Sequence, residues 1–154
     1  MQVWIAIVVG MAAVIDDLAR RHIANWIPAA ALAGGFGWQI VRGGWQGALT
    51  ALAGTAAGFA VFLVFYLLGG MGGGDVKLMA GFGALLGAGR LLEAALWTAG
   101  IGGIMAMAVL GWRALRRSKP GAGARSVEER EREASIPYAP AIALGVWLSL
   151  VPKA

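Results

Sequence analysis

The chain has 154 residues, 59% of them hydrophobic and 14% charged, with a net charge of +5. Charges gathered into a few clusters between long apolar runs mark an integral membrane protein, and the basic excess then belongs to membrane topology rather than to a nucleic-acid partner. There is no cysteine and one histidine, His22, which removes disulfides, thiolate nucleophiles and cysteine-based zinc sites, leaves no His-Glu-x-x-His motif, and makes a serine triad implausible.

Apolar runs of about 17 to 25 residues read as membrane spans, and they fall near 2–16, 24–41, 47–68, 76–90, 93–112 and 136–152. The expected fold is all-α: a polytopic bundle of about six transmembrane helices with its N-terminus outside, forming one domain over 1–154. The first run has no basic residues before it and is followed by Arg20 and Arg21, so it reads as a retained span rather than a secretory signal. Gly54 and Gly58 in the third run form Gly-x-x-x-Gly, read as close helix packing inside the bundle. The fourth run is short and is separated from the fifth by a tight outer turn at Arg90 to Glu93. The polar stretch 113–135 reads as a cytoplasmic loop. Within it Ser126 and Glu129 have capping-box spacing and Glu128 pairs with Arg132 at i+4, which predicts a short solvated helix. Most of the tryptophans fall near span ends, where indole rings prefer the interface.

Basic residues orient the bundle. Arg20, Arg21, Lys77 and the group from Arg113 to Arg132 lie on one side, with Arg42, Arg90 and Lys153 on the other. Two acidic segments share the basic, cytoplasmic side: Asp17 to Asn25, and Gly72-Gly73-Gly74-Asp75-Val76-Lys77. A carboxylate at the edge of hydrocarbon costs about 2.5–3.5 kcal/mol at a helix centre on insertion scales, and marks function by default. Two carboxylates sharing a proton supply a base for water and an acid for a carbonyl, which is all that peptide hydrolysis needs.

The glycines before Asp75 strip side chains from the backbone and allow close approach of a substrate strand, although a flexible interhelical loop explains them equally well. Asp16 and Asp17 point about 100° apart on a helix, and spacing alone does not choose between them; Asp17 is nearer the loop and its water, while Asp16 is placed to cap or to pair with Arg20 at i+4. Lys77 is a topological anchor, or a group steadying the dyad or a substrate carboxylate. Tyr138, near the start of the last span, is an interface anchor or a hydrogen-bond donor to the dyad.

Asp17, Ile23 and Asn25 in the pattern Asp-x5-Ile-x-Asn, followed by Gly-x-Gly-Asp-Val-Lys at 72–77 and Ile136-Pro137-Tyr138-Ala139-Pro140-Ala141-Ile142, resemble the type IV prepilin peptidases, intramembrane aspartic proteases of the GxGD type. The resemblance implies a transmembrane peptidase domain over 1–154 that uses Asp17 and Asp75 as its catalytic pair. Gly72, Gly74, Lys77, Asn25 and Tyr138 would bind substrate or shape the site. It selects Asp17 over Asp16 by its spacing to Asn25. It further implies cleavage of a basic prepilin leader, usually after glycine, at the cytoplasmic face of a bacterial inner membrane. No cofactor or metal is implied; the partners are the prepilin, the bilayer and pilus-assembly machinery.

Two departures stand out. Ala24 replaces the proline that the family usually has before the asparagine, and no paired Cys-x-x-Cys segment is present, so the chain is similar to the short form associated with Flp/Tad-type pili and no methyltransferase activity is expected. The competing reading is a small proton-coupled transporter component, which predicts carboxylates near the bilayer midplane and repeats between halves; an inactive pilus-assembly scaffold is a further one.

Overall fold

The computed structural model describes residues 1–68, 71–117 and 138–151, with side chains over 1–68, 71–112 and 138–151. The regular elements among the described residues are four α-helices: α1 (Gln2–Arg20), α2 (Trp26–Leu67), α3 (Gly73–Arg117) and α4 (Ala139–Ser149). By length and composition α1, α2 and the Gly73–Trp112 part of α3 are each long and apolar enough to cross a membrane.

As straight rods, α2 (42 residues) and α3 (45 residues) would run roughly 63–68 Å, about twice the ~30 Å of hydrocarbon in a bilayer. Each is broken at a glycine, Gly44 (φ 54°, ψ −131°) and Gly87 (φ 73°, ψ 166°), in backbone conformations that a Cβ disfavours. At Gly44 the chain doubles back. A Cβ on Gly47 would overlap the backbone carbonyl of Gln39, a pair about 12 Å apart in an unbroken helix. The two halves of α2 therefore correspond to the runs expected near 24–41 and 47–68.

The break in α3 falls at Gly87 rather than at the expected turn between Arg90 and Glu93. Arg and Glu are good helix formers and continue the helix, whereas Gly87 takes the positive φ that the turn requires. The break also deprives the preceding turn of its i+4 donors. Leu85 O accepts instead from Gln2 Nε2 (2.8 Å) and Gln39 Nε2 (3.2 Å), so side chains of α1 and α2 satisfy the carbonyl freed in α3.

Two other boundaries differ. α1 runs on to Arg20, which places Asp17 on the helix. α3 continues through Arg117, so the first residues of the expected 113–135 loop are helical; the short helix expected at Ser126–Glu133 lies outside the described residues.

The first half of α3 is the centre of the bundle, since every residue from 78 to 87 is buried. A helix apolar all round demands that environment. Glycines let its neighbours close on it. A Cβ on Gly54 would overlap Gly83 O, and one on Gly58 would lie 2.7 Å from Met79 O, so the Gly-x-x-x-Gly face of α2 packs inward on α3. Gly145 of α4 fits against Thr98 of α3, and Gly10 of α1 against the Trp147 ring, whose Nε1 donates to Ala6 O (3.0 Å). The outer surface is apolar. Trp4, Val41, Leu96 and Met107 are each at least 70% exposed, as expected of side chains that face lipid rather than water.

Candidate active site

Asp17 lies in the last turn of α1, and Asp75 in the first turn of α3. Both are buried, each 7% exposed, and the Asp75 carboxyl lies within coulombic range of Asp17. The fold thus brings together two carboxylates that are far apart in the chain. Keeping two such groups out of water is costly unless backbone donors or a function compensates.

Each carboxylate is held by one backbone N–H at a helix N-terminus. Ala139 N, at the start of α4, donates to Asp17 Oδ2 (3.1 Å). It is one of the first-turn donors that have no partner within their own helix, and Pro140 next to it is suited to a helix start. Asp75 reaches back over its own first turn, where Gly72 N donates to Asp75 Oδ2 (3.2 Å) and Asp75 N donates to Gly72 O (3.1 Å), half of a capping box made by an aspartate. The positive ends of two helix dipoles therefore face the pair. Asp75 Oδ1 is also buried, yet it accepts no hydrogen bond from the described residues. A carboxylate oxygen left without a donor in a native interior calls for an explanation, and a reacting molecule that arrives there is one.

The glycines shape the approach. A Cβ on Gly72 would lie 3.4 Å from Asp75 Oδ2, and a Cβ on Gly74 would lie 3.2 Å from Ile23 Cβ, so the α1–α2 loop rests directly on the glycine segment. Ile23 is itself buried, 4% exposed. Lys77 Nζ donates to Asn25 Oδ1 (3.0 Å) in an exposed contact beside this loop, bringing together two residues that the sequence singled out separately. Tyr138 places its ring against Gly102 of α3, and it is the backbone of its neighbour Ala139, not the tyrosine hydroxyl, that meets Asp17.

Asp16 faces elsewhere. Its Oδ2 accepts from Ala24 N (2.8 Å) and its Oδ1 lies 3.4 Å from Arg20 Nε, so of the two adjacent aspartates only Asp17 is buried. The pairing of Asp16 with Arg20 follows from their i,i+4 spacing; for the Ala24 contact the sequence offers no signal beyond an aspartate eight residues before the end of a short loop. The Ala139 donor was equally hidden, because it depends on how α4 docks on α1. Among the described residues no group of three or more His, Asp or Glu could hold a metal ion.

No curated protein and no solved structure matches the chain significantly. A family model does match, over residues 4–107, a segment that carries Asp17, Asn25, the glycine run, Asp75 and Lys77 in order. By that match the chain belongs to the type IV leader peptidase family.

Proposed function

We propose that the chain is an aspartic endopeptidase of the GxGD type in which Asp17 and Asp75 hydrolyse the bond that joins a basic leader to a type IV, Flp/Tad-like prepilin. The observation that carries this reading is the pair of buried carboxylates, with Asp75 Oδ1 left without a donor among the described residues. One carboxylate accepts a proton from water as the water oxygen bonds to the scissile carbonyl carbon. The other donates its proton to the carbonyl oxygen. Roles then exchange: the carbon–nitrogen bond breaks, the departing amine takes up a proton, and the dyad returns to its shared-proton state. No metal or cofactor enters these steps.

The rest of the reading follows from topology. We count six crossings by taking each half of α2 and α3, and the short 11-residue α4, as one. The basic residues Arg20, Arg21 and Lys77 beside the dyad favour its lying at the cytoplasmic side of an inner membrane with the N-terminus outside. There the basic leader remains in the cytoplasm while the apolar pilin helix lies in the bilayer beside the enzyme. Gly72 and Gly74 give the substrate backbone room beside Asp75. Lys77 and Asn25 fix the rim, Tyr138 supports the start of α4, and pilus-assembly machinery receives the product.

The test is leader cleavage in liposomes, using a prepilin with a basic leader ending in glycine. Asp17→Asn and Asp75→Asn should each lower kcat by about 10²–10⁴-fold or more, whereas Asp16→Asn should still cleave. Undiminished cleavage by either of the first two would overturn the aspartic mechanism.

A further inference from the structure

A loop of five residues, Arg21 to Asn25, joins α1 to α2 and lies against the first turn of α3, and four contacts hold it. Arg21 takes a left-handed conformation (φ 53°, ψ 32°) and donates its N–H to Asp17 O (2.8 Å). This is an uncommon state for a side chain other than glycine, and it persists only where the surroundings enforce it. Asp16 Oδ2 accepts from Ala24 N (2.8 Å). Ile23 packs on Gly74, and Asn25 accepts from Lys77. One end of the loop is thus fixed to the helix of Asp17 and the other to the helix of Asp75.

Resting on the reading of Asp17 and Asp75 as the catalytic pair, we propose that Asp16 is a positioning residue for the reaction, whose hydrogen bond to Ala24 N–H braces the α1–α2 loop so that Ile23 seats on Gly74 and the two aspartates meet in register. Asp16 and Asp17 leave the same turn of α1 in different directions. One points to the dyad, and the other holds the loop that sets the dyad's geometry. The bond is short and involves a charged acceptor, the stronger class of hydrogen bond. The second contact of Asp16, to Arg20, involves a side chain that is 75% exposed and contributes little. The brace also requires an N–H at position 24. Alanine supplies one and proline has none, so the bond is open to this chain because residue 24 is alanine.

A displacement of about 1 Å at reacting groups costs on the order of 10²-fold in rate. Asp16→Ala should therefore lower kcat for leader cleavage by roughly 10- to 100-fold with KM changed less than threefold. Asp16→Asn, which keeps a carbonyl acceptor, should recover to within about fivefold of wild type. Arg20→Ala should stay within about twofold. In an Ala24→Pro background, which lacks the donor, adding Asp16→Ala should cost less than about threefold further.

A readout independent of cleavage uses the absence of native cysteine. The Ile23→Cys/Gly74→Cys pair brings two Cβ positions within disulfide reach, and oxidation by copper phenanthroline should cross-link it at least about fivefold more slowly once Asp16→Ala is added. Wild-type kcat in Asp16→Ala, or equal losses in Asp16→Ala and Asp16→Asn with unchanged cross-linking, would overturn the brace. A wild-type enzyme that cleaves no prepilin would instead overturn the proposed function, and the cross-linking rates would still decide the role of Asp16.

Discussion

Gly74 shows how tightly the proposed site is drawn. Its missing side chain leaves room for Ile23, whose Cβ would lie 3.2 Å from a Cβ added there, closer than ordinary van der Waals contact. Gly74→Ala should push the loop off the first turn of α3 and lower leader cleavage about tenfold or more. Ile23→Gly, which removes the Cβ that the new methyl would meet, should restore part of that loss in the double variant, as measured by kcat in liposomes. Lys77 and Asn25 lead to a milder expectation. Their hydrogen bond joins exposed groups and contributes about 1 kcal/mol at most, so Lys77→Met and Asn25→Ala should each cost kcat/KM no more than about fivefold. The double variant should cost no more than either alone, because both remove the same bond. The sequence marks Asp17, Asp75 and the glycines as candidates, since a carboxylate beside an apolar run is expensive wherever it occurs, and the fold shows both carboxylates buried. The bond of Asp16 to Ala24 N–H was not legible, because helix spacing offers Asp16 a partner on its own helix, Arg20 at i+4, and does not say what the loop brings to it.

The two broken helices show where sequence patterns stop short at the level of elements. Apolar runs correctly divided α2 near Gly44, where Gly43 and Gly44 interrupt the chain beside Arg42. In α3 the charges Arg90 and Glu93 were the visible discontinuity, but charged residues do not break helices and a glycine at φ 73° does. The true break was masked by the abundance of glycine, which also serves close packing at Gly54, Gly58 and Gly83. Space separates the two breaks in consequence. Alanine at either position pays about 1–3 kcal/mol for its backbone conformation. At Gly87 a Cβ would also come within 2.8 Å of Thr50 Cγ2, whereas Gly44 has nothing within 4 Å. Thermal unfolding in detergent should therefore place Gly87→Ala below Gly44→Ala. Adding Thr50→Ala to Gly87→Ala should remove most of the difference; equal unfolding temperatures for the two single variants would refute the steric part of the argument.

At the scale of the whole molecule, α1 ties the two ends of the bundle together. Near its start Gln2 bonds Leu85 beside the Gly87 break, and near its end Asp17 meets the start of α4 and the field of Asp75. The two ends are thus separated by about 23 Å along the helix, most of the thickness of a hydrocarbon core. Arg20, Arg21 and Lys77 accompany the dyad, while Arg42 and Arg90 lie by the two glycine breaks, and this asymmetry is why we assign the dyad to the cytoplasmic side. The chain's lack of cysteine makes that assignment directly measurable. His22 is exposed in the loop beside the dyad, and Gly43 and Gly89 are exposed near the breaks with open space around them. In intact cells a membrane-impermeant maleimide should label Gly43→Cys and Gly89→Cys, and should label His22→Cys only after the inner membrane is permeabilised. The reverse pattern would place the dyad outside, where a basic leader held in the cytoplasm by its own charge could not reach it, and the proposed substrate would then have to be abandoned even if Asp17 and Asp75 proved essential to some other cleavage.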